Sequence, residues 1–242
     1  MLKVVPELDI AELVQYGKSK NVEVILWMTS VALERSFNEA FDQFSEWGIK
    51  GLKVDFMQRD DQVMMDFCEK VAQKAAEYKL LVDFHGGSKP TGLQRTYPNV
   101  LTHESVLGLE QSKWCRKANP DMAVLLPFMR MVAGPMDYTP GAMDNFTKSA
   151  FRIDFKSPGS QGTRSHQLAM YVTYLSPLQM LADTPTKYRK NPESIKFLSK
   201  VPTTWDETVI LKAEVGKVIA LARRNGKTWY LSAMTNWTAR NL

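Results

Sequence analysis

The chain has 242 residues, 44% of them hydrophobic and 24% charged, and a formal net charge of +5. That length suits one barrel-sized domain or one and a half smaller ones, and it buries roughly 70–75% of the unfolded surface on folding. Two cysteines, Cys68 and Cys115, exclude a disulfide scaffold; no apolar run reaches about 18 residues, which excludes a membrane-spanning helix; and scattered Lys and Arg exclude a basic nucleic-acid-binding face.

Strand-like and helix-like segments alternate along the chain. Met1 to Ile10 is no secretory signal, because it lacks an apolar run and carries Glu7 and Asp9. Ile10 to Gly17 reads as an amphipathic helix capped by Asp9. Val22 to Trp27 reads as a strand. Ser36 to Trp47 is a helix with Phe37, Phe41, Phe44 and Trp47 on one face. Leu52 to Phe56 is a strand ending in an acid, Asp55, followed by the polar loop Gln58-Arg59-Asp60-Asp61-Gln62. Gln62 to Tyr78 is a long helix, with Val63, Met64, Phe67, Val71 and Ala75 on its buried side and Cys68 as a small core residue.

Leu80 to Phe84 is a strand ending in His85-Gly86-Gly87, and Asn99 to Thr102 one leading into His103-Glu104. Ala123 to Phe128 and Leu178 to Leu181 read as two more short strands, with an apolar helix at Gln167 to Leu175. Met129 to His166 is rich in Gly, Pro, Met and Asp and lacks periodicity, as expected of a segment lying over an active face. Beyond about Pro192 the pattern changes: Thr204 to Leu211, Lys217 to Ala222 and Thr228 to Met234 read as antiparallel strands, the last two joined by a turn at Arg224-Asn225-Gly226-Lys227.

Alternating strands and helices imply parallel β/α units. The fold class is therefore α/β: a (β/α)₈ barrel over residues 1–191 that is incomplete, with about six strands where eight close a barrel, then part of an antiparallel β domain over residues 192–242. The chain reads as a piece of a larger protein.

In such barrels chemistry occurs at the carboxyl ends of the strands. Asp55, Asp83, His85, His103, Glu104 and Glu110 all fall there or just beyond. Two carboxylates meeting at a barrel mouth suit glycoside hydrolysis, and His beside Glu suits a metal or sugar hydroxyls. Each residue also has a plainer reading: a loop-capping acid for Asp55, solvated loop charge for Glu104 and Glu110, a hydrogen-bonded structural residue for His85. Asp83 is read as structural. Trp27 either stacks on a sugar face or packs in the core. Arg59 either orients the neighbouring acid or closes its loop.

The segments WGIKGLKVDFMQRDDQ, VDFHGGSKPTGLQRTYPN and LTHESVLGLE, in that order, resemble glycoside hydrolase family 97, and DYTPGAM, LADTP and the hairpin extend the likeness over most of the chain. The resemblance implies a retaining exo-acting α-glycosidase, an α-galactosidase with α-glucosidase as the alternative, acting on oligosaccharides or other α-galactosides. It implies an N-terminal β-sandwich domain that the chain does not contain, and a periplasmic location.

By the same resemblance Asp55 is the nucleophile and Glu110 the acid/base. Inverting relatives lack the Asp and place a Glu after the motif His, where this chain has Gly86. Glu104 and Glu110 match Ca²⁺ ligands, and the resemblance favours His85 as a sugar contact; Trp27 and Arg59 join it as candidate substrate contacts on their own positions, at a strand end and beside Asp55. A reading of another class, a catalytically incompetent sugar-binding fragment, stays open, and no Gly-rich phosphate loop supports a phosphate-binding barrel.

Overall fold

A computed structural model describes residues 4–242; the first three residues of the Met1 to Ile10 segment lie outside the described residues. The chain divides into two compact units, Met1–Ser105 and Val106–Leu242.

In the first unit helices alternate with four parallel strands. Helix α1 (Ile10–Ser19) starts at Asp9, whose carboxylate accepts the Glu12 N–H at 2.9 Å. Strand β1 (Ile25–Thr29) runs into α2 (Ser30–Arg35), and α3 (Phe37–Trp47) ends at Gly48 in the left-handed region, φ +72°. Strand β2 (Gly51–Asp55) is followed by α4 (Gln62–Glu77), β3 (Leu81–Phe84), α5 (Leu93–Thr96) and β4 (Val100–His103). The sheet order is β1-β2-β3-β4, all neighbours parallel.

The core of this unit lies between sheet and helices. Leu52, Val54, Val82, Phe84 and Val100 meet Phe41 and Phe44 of α3 and Phe67, Val71 and Ala75 of α4. Phe41 and Phe44 are fully buried, each contributing about 1.5–3 kcal/mol. Two expectations shift. Strand β1 begins three residues later than Val22, which is exposed. Val63 on α4 faces solvent, because the buried face is centred on Phe67, Cys68, Val71, Ala72 and Ala75 and residue 63, in the first turn, lies beyond its edge.

The second unit holds short helices α6 (Pro120–Ala123) and α7 (Leu126–Met129), the two-residue strands β5 (Asn145–Phe146) and β6 (Ser160–Gln161), helix α8 (Arg164–Thr173), α9 (Pro185–Arg189) and α10 (Pro192–Leu198), and an antiparallel sheet β7 (Glu207–Glu214), β8 (Val218–Asn225), β9 (Thr228–Thr235). The strand expected at Ala123 to Phe128 is helical. Pro120 and Pro127 sit in the first turns of α6 and α7, where a fixed φ favours a helix start and the missing N–H costs a ladder bond but no helix bond.

Leu178 to Leu181 is not a strand either. A side chain meets this backbone instead, Ser176 Oγ donating to Leu178 O at 2.7 Å. The hairpin is present, but its two central residues are Gly226 and Lys227, one step beyond the Asn-Gly pair, with Asn225 opposite Thr228. Met136, Tyr138, Tyr174, Ile219, Leu221 and Met234 form the core of this unit. Among the described residues no helix is long and apolar enough to cross a membrane.

Candidate active site

Parallel pairing brings the carboxyl ends of β1 to β4 to one edge of the sheet. Thr29 lies opposite Asp55, Val54 opposite Phe84, and Phe84 opposite His103. Side chains alternate between faces along a strand. Leu52, Val54, Val82 and Phe84 point into the core, so Lys53, Asp55, Asp83 and His85 share the other face.

Glu104 reaches that face only through an irregularity. The register between β3 and β4 shifts by one residue at Val82/Asp83, so that Asp83 faces Thr102 instead of Leu101. A one-residue shift moves every later side chain to the opposite face. Two residues beyond Thr102, Glu104 therefore stands beside His85. The Glu104 N–H donates to Phe84 O and the His85 N–H to Val54 O, both at 2.8 Å, which extends the ladder past the strand ends.

One ligand-type atom each of Asp55, His85 and Glu104 lies within 4.8 Å of the other two. Glu104 Oε2 accepts the Gly86 N–H at 2.9 Å and sits 3.5 Å from His85 Nδ1. The other ring nitrogen, Nε2, is 3.3 Å from Asp83 Oδ2, and Lys53 Nζ is 3.8 Å from the same oxygen. Asp83 is completely buried against His85, in keeping with the structural role its sequence position suggests, and the alternation Asp83-Phe84-His85 puts both on one face.

Asp55 is half-buried, and each of its oxygens takes a hydrogen bond. Oδ1 accepts the Phe56 N–H (2.6 Å), and Oδ2 accepts the Trp27 indole N–H (2.9 Å). Trp27 is 52% exposed, so the core-packing alternative for it does not hold. The backbone after Asp55 turns sharply, with Phe56 at φ +60° and Gln58 at φ +46°. Non-glycine residues in the left-handed region cost about 1–2 kcal/mol each and gather at functional sites.

Arg59 does not join this group. Its guanidinium turns to Asp61, with Nε 3.0 and 2.8 Å from the two carboxylate oxygens, and the Asp61 carboxylate also caps α4. This contact raises the Arg59 pKa and lowers that of Asp61.

In the second unit Glu110 is exposed in the first turn of the 3₁₀ segment Leu109–Lys113. Buried Leu109 fixes the segment, its N–H donating to Tyr138 O at 3.1 Å. The expected long irregular stretch is largely irregular but firmly held. Gly141 N–H donates to Gln167 Oε1 (3.0 Å), Met143 N–H to Asp183 Oδ2 (2.8 Å), and Tyr171 OH to Pro140 O (2.6 Å). It carries a buried carboxylate, Asp137, which accepts from Thr139 Oγ1 at 3.2 Å and which the sequence reading did not single out.

A hard cation such as Ca²⁺ takes about 6–8 oxygen ligands. Glu104 offers a carboxylate at the sheet edge and fits as one member of such a set. The imidazole of His85 does not suit it, so of these three residues only the carboxylates of Asp55 and Glu104 are candidate oxygen ligands.

Comparison with known proteins adds a second line. Residues 1–106 match the family model described as Glycoside hydrolase 97, and residues 204–242 the one described as Glycosyl-hydrolase 97 C-terminal, oligomerisation. The chain is 48% identical, over all of its length, to a retaining alpha-galactosidase of Bacteroides thetaiotaomicron, and spans 37% of that protein. It is 34% identical over 92% of its length to a probable retaining alpha-galactosidase of Streptomyces bingchenggensis, spanning 33% of it. A solved Glycoside Hydrolase Family 97 enzyme from Pseudoalteromonas sp. strain K8, in complex with panose, superposes on 98% of the chain and 40% of its own with a TM-score of 0.86 at 29% identity.

Proposed function

The chain belongs to glycoside hydrolase family 97, and from that premise we propose that it is part of a retaining, exo-acting α-galactosidase. The observation that carries this reading is Asp55 at the carboxyl end of β2, with a hydrogen bond on each oxygen and His85 and Glu104 beside it. The named relatives support galactose as the sugar. α-Glucosidase is the second reading, favoured by the panose complex of the 29%-identical enzyme.

The proposed reaction is a double displacement. Asp55 attacks the anomeric carbon of an α-linked galactoside as the bond to the leaving oxygen breaks, and Glu110 gives that oxygen its proton. The β-linked glycosyl-Asp55 intermediate is then hydrolysed by water, whose proton returns to Glu110. The reading requires the two carboxyl groups to stand about 5–5.5 Å apart when substrate is bound. His85, with buried Asp83 at its Nε2 and Glu104 near its Nδ1, is the proposed sugar contact by family resemblance, through the Nδ1 side that faces Asp55 and Glu104. Arg59, engaged by Asp61, holds the loop after the nucleophile rather than the substrate.

Glu104 and Glu110 are the proposed Ca²⁺ ligands. When bound, the ion would fix the acid/base and polarise sugar hydroxyls. We propose further that the working enzyme is longer than this chain and includes an N-terminal β-sandwich, that residues 1–191 belong to a (β/α)₈ barrel and 192–242 to a C-terminal β domain, and that the location is periplasmic. The share of the relatives' length that the chain spans supports the first of these, and family resemblance the others.

The test is chemical rescue. In the longer polypeptide, Asp55→Gly should lower kcat on an aryl α-galactoside by about 10³-fold or more. Azide should restore aryloxide release and yield the β-galactosyl azide, because one displacement replaces two. Rescue giving the α-azide, or retention of activity without Asp55, overturns the assignment. Activity in the longer polypeptide but none in the 242 residues alone would place the incompetence in the piece rather than in the site.

A further inference from the structure

We infer that Trp27 is a positioning residue for Asp55, acting through its indole N–H rather than by stacking on the sugar. The inference rests on the reading of Asp55 as nucleophile. Trp27 pairs with Lys53 across β1 and β2, two residues before Asp55 on the same face. A diagonal neighbour in a sheet is reached by an aromatic side chain and by few others. The indole spans that diagonal and donates to Oδ2 at 2.9 Å.

The ring is held for this task. Phe56 meets it edge-on, with centroids 5.8 Å apart and planes at 87°. Phe56 takes up that position through its φ of +60°, and its carbonyl accepts from Ser30 Oγ at 3.3 Å. The same backbone turn aims the Phe56 N–H at Oδ1. One unusual turn thus supplies one donor to the carboxylate and braces the other. Gly86 closes the third side: a Cβ there would lie 3.0 Å from Asp55 Oδ1. Two donors and one backbone wall fix the carboxylate plane.

A fixed carboxylate presents one lone pair to the anomeric carbon. The Trp27 N–H also stabilises the negative charge that Asp55 regains when the glycosyl-enzyme breaks down. It therefore acts on the turnover steps, not on sugar affinity.

The discriminating variant is Trp27→Phe, which keeps the aromatic face and removes the donor, compared with Trp27→Ala. Positioning predicts that Trp27→Phe lowers kcat by about 10- to 100-fold, the range of a hydrogen bond to a charged group, with KM changed by less than about 3-fold. Stacking on the sugar predicts near-normal kcat in Trp27→Phe and a raised KM in Trp27→Ala, and that result overturns the inference.

A second measurement is independent of turnover. In the ¹H–¹⁵N spectrum of the 242-residue chain, the Trp27 indole signal, assigned by Trp27→Phe, should shift upfield in Asp55→Ala. An unmoved signal contradicts the hydrogen bond itself. If the azide rescue fails while the indole signal still moves, the nucleophile assignment is at fault and not the contact.

Discussion

A Cβ built at Gly86 would come within 3.0 Å of Asp55 Oδ1 and 3.1 Å of the Phe56 nitrogen, at a φ of +61°. Any side chain at 86 therefore competes with Asp55 for one place. This gives a physical reason for the pattern read from the sequence, in which Gly follows His85 when Asp55 is present. Gly86→Ala should carry about 1–2 kcal/mol of left-handed strain and also displace the nucleophile. Gly226→Ala is the control, since nothing lies within 4 Å of its Cβ position and only the strain of φ +58° remains. Both variants should lose about 2–8 °C of melting temperature, and only Gly86→Ala should lose turnover as well. Equal activity in the two would separate Gly86 from the site. At this scale the neighbouring strand-end positions of Asp55 and His85 were legible because they follow from local pattern, whereas the meeting of Glu104 with them depends on the register shift between β3 and β4. The contact of Trp27 with Asp55 was not legible either, because it depends on which residue of β1 lies opposite which residue of β2.

Elements were legible where a hydrophobic period was long. The stripe Phe41–Phe44 of α3 and the stripe Phe67–Val71–Ala75 of α4 repeat at helical spacing, and both are buried. Short segments were not legible: Ala123 to Phe128 is apolar enough for a strand, but Pro120 and Pro127 decide for helix. The register shift at Val82/Asp83, which places Glu104, leaves no mark in composition at all. Helix α8 carries a pH dependence of its own. His166 is largely removed from water, and burial pushes its imidazole down to about 4. The unfolded imidazole titrates near 6.5, so the unfolded chain binds the proton first. Stability from neutral His166 is complete above about pH 6.5 and is lost as the pH falls toward 4. Urea midpoints should decline over that interval, and less steeply in His166→Gln. An identical slope in the variant would assign the decline to other groups.

For the molecule as a whole, the parallel sheet of the first unit and the antiparallel sheet of the second follow from the change in pattern along the chain. Among the described residues the sheet β1-β2-β3-β4 holds four of the six barrel strands expected, and the other two, expected in the second unit, are a helical pair and an irregular run. Asp55 and Glu110 belong to different units, so the proposed chemistry is a statement about the assembled enzyme rather than about either unit. Its stereochemical outcome reports on both acids at once, because two displacements at one carbon restore its configuration and a single displacement inverts it. The decisive measurement is the anomer of galactose first released from an aryl α-galactoside, followed by ¹H NMR before mutarotation. The α-anomer is the expected product; β-galactose appearing first would contradict the roles of Asp55 and Glu110 together.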